Sequence, residues 1–71
     1  MGKFIEVNAV GSDKYIINTR NIIYIEELFD EKIKSMIYLK EPVPICKASG
    51  LKDERCLYLT NTYKELSDKL L

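Results

Sequence analysis

Histidine is absent from this 71-residue chain, and cysteine occurs only twice, as Cys46 and Cys56. Without imidazole the usual proton carrier of acid–base catalysis is missing, and carboxylates or lysines would have to serve instead. No Cys-x-x-Cys occurs, so neither a zinc site nor a thioredoxin-type redox pair is supported. Three glycines stand far apart at Gly2, Gly11 and Gly50, which excludes a phosphate-cradling loop. Charge of one sign is lacking too: eleven Lys and Arg balance eleven Asp and Glu. A neutral chain has no global field to draw nucleic acid or acidic lipid, whereas near-zero net charge permits self-association. There is no apolar run near the roughly 20 residues that span a bilayer. The opening Met1-Gly2-Lys3-Phe4-Ile5-Glu6 resembles no secretory signal, and Glu6 stands where a myristoylation motif wants Ser or Thr. These absences point to the cytoplasm, with no membrane partner, no cofactor and no metal. In a reducing compartment Cys46 and Cys56 are expected as free thiols, although a single bridge between them is possible in principle.

What is present suits one small domain spanning residues 1–71. Hydrophobic residues make up 46% of the chain, enough for a core and too many for a disordered segment. A domain this short hides only about 60% of the surface its unfolded form exposes, so oligomerisation is the expected external source of stability.

Apolar alternation predicts strands over about 4–9 and 14–18, joined at Gly11-Ser12-Asp13. Thr19-Arg20-Asn21 redirects the chain. A strand over about 22–29 follows; its apolar residues fall on both parities, which reads as the most buried strand. Asp30-Glu31-Lys32 is a charged turn, and 33–39 is the next strand. Pro42 and Pro44 argue against central pairing, so 40–54 reads as an irregular loop, with at most a short edge strand and a turn at Ala48-Ser49-Gly50. The last strand covers about 56–60. Thr62 and Glu65 have capping-box spacing at the start of a helix over about 63–71, whose apolar face is Tyr63, Leu66, Leu70 and Leu71. The fold class is mainly β: a bent antiparallel meander of five or six strands, barrel-like, with the helix across an open end.

Sorting the strands by parity collects Ile5, Val7, Ile23, Ile25, Ile37, Leu39, Leu57 and Leu59 as an aliphatic core. The opposite parity collects Tyr24, Leu28, Met36, Tyr38, Cys56 and Tyr58, with Tyr15 nearby. A solvent-facing side of a sheet should read Lys, Glu and Thr. Either the sheet curls and the helix and the 40–54 segment cover this second face, or the face is an interaction surface, tyrosine supplying rigid area with a polar tip. A second copy of the chain is the simplest partner, and another protein is the next. The alternative function is a single-stranded nucleic-acid module in which Tyr15, Tyr24, Tyr38 and Tyr58 stack on bases while Lys14, Lys34, Lys40 and Arg55 meet the backbone. Glu26, Glu27, Asp30 and Glu31 oppose that reading; they form a solvated turn without the spacing of a calcium loop. Catalytic residues are not expected, and Cys46 has no base to activate it.

The order of these segments resembles small bacterial proteins of the flagellar FlbD type and similar short proteins of bacteria and their phages. The residues that carry the likeness are a strand ending in Asn18, then Ile22-Ile23-Tyr24-Ile25, and a final Leu57-Tyr58-Leu59 strand running into Tyr63-Lys64-Glu65-Leu66. Residues 40–55 fall outside it, being longer than the short Gly turn of that pattern. The resemblance supplies no catalytic residue. It implies a small cytoplasmic accessory protein that acts through contacts with other proteins.

Overall fold

Residues 3–11, 13–47 and 49–71 are described by the structure, a computed structural model, and the side chains of Cys46 and Lys47 are not among them. The predicted turn positions Ser12 and Ala48, and the possible Cys46–Cys56 bridge, therefore lie outside the described residues. The elements are β1 (Phe4–Asn8), β2 (Lys14–Asn18), a 3-10 turn (Thr19–Asn21), β3 (Ile22–Glu27), β4 (Ser35–Lys47), β5 (Gly50–Leu59) and α1 (Tyr63–Leu70).

Strand-forming runs and short turns produce two antiparallel sheets, β1-β2 and β3-β4-β5. Backbone bonds join them at one place. Ala9 bridges Leu59, Val10 N–H donates to the Tyr58 carbonyl at 3.1 Å, and Thr60 N–H donates to the Asn8 carbonyl at 2.9 Å. Among the described residues no closed barrel forms. The meander expected from the sequence is thus divided: β2 leads into β3 through the 3-10 turn, and the two strands do not pair.

The core lies between the sheets. Ile5, Val7 and Ile17 from the first sheet face Ile37, Leu39, Leu57 and Leu59 from the second. Leu66 of α1, fully buried, closes the space. Eight helical residues are too few to persist alone, so α1 holds through this docking and through its cap. Thr62 Oγ1 accepts from Glu65 N–H at 3.1 Å, while Glu65 Oε1 accepts from Thr62 N–H at 3.4 Å. Beneath the cap lies a buried polar junction. Asn61 Oδ1 accepts from Asn8 N–H at 2.7 Å, and Ser35 Oγ donates to the Asn61 carbonyl at 2.8 Å. One asparagine thereby ties β1, β4 and the β5–α1 turn together.

Four expectations are corrected. The strand over 22–29 ends at Glu27 and is not the most buried; none of its residues is buried. The buried strand is β4, the middle of its sheet, through Ser35, Met36, Ile37 and Leu39. The reason is a β-bulge: Ile22 pairs with Leu39 and Tyr24 with Tyr38, which leaves Ile23 without an opposite residue. Ile22 and Ile25 therefore pack on the core, while Ile23, assigned to it by parity, is 52% exposed.

The fourth correction concerns 40–54, which is not an irregular loop. β4 continues to Lys47 and β5 begins at Gly50, so the segment is a hairpin arm with Val43 opposite Glu54 and Ile45 opposite Lys52. Pairing lapses only between Tyr38 and Val43, where the register shifts. The prolines are tolerated because β3 stops opposite Leu39, and beyond that point one flank of β4 has no strand to bond. Asn21 clasps the irregular stretch: its Oδ1 accepts from Glu41 N–H at 2.8 Å and its Nδ2 donates to the Glu41 carbonyl at 3.1 Å. At the turn of the arm Gly50 has φ +114°, a conformation that side-chain-bearing residues rarely adopt.

Candidate interaction surface

Cross-strand register determines which side chains share the outer face of the three-stranded sheet. Tyr24, Tyr38 and Cys56 form one row across β3, β4 and β5; Glu26, Met36 and Tyr58 form the next. The Tyr24 and Tyr38 rings stack with centroids 5.5 Å apart and planes at 14°. Such an offset pair is worth about 0.5–1.5 kcal/mol beyond its buried area. Met36 is 9% exposed yet lies on the face opposite Ile37, outside the main core. It is covered on a side where a lone sheet would be wet. Tyr24 remains 49% and Tyr58 51% exposed, Tyr38 and Cys56 are half-buried, and Leu28 follows β3 at the same parity, also half-buried.

Tyr15 stands apart from this group. It belongs to β2, opposite Val7, and packs against the core with its hydroxyl buried and unpartnered. It meets Cys56 and Tyr58 only across a groove of about 320 Å³ that also involves Val10 and Ile45. The sequence-derived set is thus brought together in two parts, joined at Cys56 and Tyr58. The four tyrosines suggested for base stacking do not form one platform. Lys34 donates to the Asp30 carbonyl at 3.1 Å, while Lys14 sits on the other sheet.

The apolar surface extends beyond the parity set. A groove of about 360 Å³ between the β3 edge and α1 is lined by Ile22, Ile23, Tyr24, Tyr63, Leu70 and Leu71, among others. Ile23, Tyr63 and Leu71 are exposed there. Parity sorting missed Ile23 because one bulge reverses the face of every residue before it. The signal was present in the apolar run of both parities. Tyr63 lies on the helix with Leu66, Leu71 follows its last turn, and of the three only Leu66 is fully buried.

Charge gathers at one end of this surface. Glu26, Glu27, Asp30 and Glu31 lie on the end of β3 and its loop. Asp30 Oδ1 accepts from the N–H groups of Lys32 at 2.8 Å and Ile33 at 3.1 Å. These two bonds, that from Lys32 first, hold its carboxyl below the usual carboxylate range. Among the described residues no group of cysteine, aspartate and glutamate side chains is arranged to hold a metal ion. No helix among them is long and apolar enough to cross a membrane. No family model, curated protein or solved structure matches this chain.

Proposed function

We propose that this chain is a small cytoplasmic accessory protein that catalyses nothing and works by protein–protein contact, associating with itself through the tyrosine-bearing face and the adjoining β3 edge. The observation that carries the reading is continuity: the stacked Tyr24–Tyr38 pair runs without a charged break into Ile23, Tyr63 and Leu71. Apolar patches of this kind on small domains mark contact sites. The chain also has surface to spare. Its accessible area is 5080 Å², against about 4,600 Å² expected for a folded monomer of its mass. The difference, about 500 Å², is smaller than the area of about 800 Å² per partner that a standard interface covers.

The test is sedimentation equilibrium of the wild type beside Tyr24→Ser plus Tyr38→Ser. The expected result is an oligomeric wild type and a variant of lower mass with the same far-ultraviolet circular dichroism. Both positions have solvent access, so the substitutions leave the core intact. A wild type that sediments as a monomer at high concentration overturns the reading.

A further inference from the structure

We infer that Phe29 is a docking knob that inserts into the lysine-rimmed groove of a second copy of this chain, reciprocally, about a two-fold axis. The inference rests on the proposed self-association for its partner and adds a contact that the tyrosine face does not supply.

Phe29 is 93% exposed. A phenylalanine so placed gains nothing from folding, yet its loop is firmly shaped. Leu28 N–H donates to the Lys34 carbonyl at 3.1 Å, Lys34 N–H donates to the Leu59 carbonyl at 2.9 Å, and Asp30 accepts the two bonds described above. A ring presented on a built turn loses little freedom on binding, which favours association. Carboxylates flank it in sequence, Glu27 before it and Asp30 and Glu31 after it, ahead of Lys32 and Lys34. The complement therefore has an apolar floor and a basic rim.

This chain carries such a site. A groove of about 510 Å³ lies where Gly11, Lys32 and Thr60 meet; Ala9 and Val10 line it with apolar surface, and Lys14 and Lys32 line it with positive charge. Phe29 does not line the groove of its own copy, although Lys32, three residues further on, does. Knob and hole thus occupy one stretch of surface with opposite charge. That is the arrangement a two-fold contact requires, each copy giving and receiving the same group. Neither lysine side chain has a carboxylate partner within its own copy among the described ion pairs, the one found there joining Lys64 to Asp68.

The experiment measures mass by sedimentation equilibrium in three chains: Tyr24→Ser plus Tyr38→Ser, Phe29→Ser, and the triple variant. If both contacts exist, the tyrosine variant stops at a dimer whose dissociation rises several-fold in molar salt, and adding Phe29→Ser halves its mass. Within that dimer, Lys14→Glu plus Lys32→Glu weakens association, and adding Glu27→Lys plus Glu31→Lys restores it. A tyrosine variant that is already monomeric overturns the Phe29 contact and leaves the tyrosine face standing. If only Phe29→Ser lowers the mass, the tyrosine face falls and the knob stands. A wild-type monomer, or a mass that no variant lowers, removes both. Phe29 is so exposed that Phe29→Ser cannot act by unfolding the chain.

Discussion

Individual buried polar residues hold this fold, and Asn61 is the plainest case. It is buried, it accepts from Asn8, and its carbonyl receives the Ser35 hydroxyl. Asn61→Ala removes the acceptor of a part-buried backbone N–H, and an orphaned donor of that kind costs about 1–3 kcal/mol. The expected outcome is a lower urea midpoint with an unchanged slope, because the folded state loses a bond and not its compactness. This junction was only half legible. Thr62 and Glu65 announce a cap by spacing, whereas Ser35 and Asn61 meet across 26 residues, and their pairing depends on how β4 and β5 come together. Tyr15 teaches the same lesson at the candidate site: its residue type suits an interface, but its strand places it in the other sheet.

At the scale of elements, α1 and the β3–β4 loop each depend on a carboxylate. Glu65 sits below the usual carboxylate range because the Thr62 N–H donates to it first, then the Asn61 amide and the Thr62 hydroxyl. Asp30 is lowered by its two backbone donors. A group whose native pKa is depressed contributes stability above its unfolded value, about 4 for these side chains, and the contribution is lost as pH falls through the native value. Urea midpoints should thus be flat near neutrality and fall below about pH 5. Asp30→Asn plus Glu65→Gln should make the acid fall shallower; an identical acid limb would show that other groups set it. Docking matters more than capping for the helix. Leu66→Ala opens the end of the core and is expected to cost about 2–5 kcal/mol, read as a drop in thermal midpoint. The sequence made α1 and the β1–β2 alternation readable because their periods are undisturbed. It hid the face of β3 and the arm beyond Leu39. A bulge breaks parity without leaving a distinctive residue type, and Pro42 and Pro44 forbid only a strand bonded on both sides.

For the whole molecule, a small core and one backbone bridge join the two sheets, and a helix of eight residues closes them, so a single chain has little reserve. If association stabilises it, the thermal midpoint must rise with protein concentration, and the triple variant Tyr24→Ser, Tyr38→Ser and Phe29→Ser must lose that rise. The half of the surface visible to parity, Tyr24 with Met36, Tyr38 and Tyr58, needed only the strand period. The rest, from Ile23 to Tyr63, needed the crossing of α1 over the β3 edge, which no spacing encodes.

The register shift after Tyr38 has a consequence for how this chain can vary. In an uninterrupted ladder, gaining or losing one residue turns every later side chain over. Here the stretch held by Asn21 works as slack. A length change within 40–42 is taken up locally, and the arm can be recut while Ser35, Ile37, Leu39, Leu57 and Leu59 keep their seats.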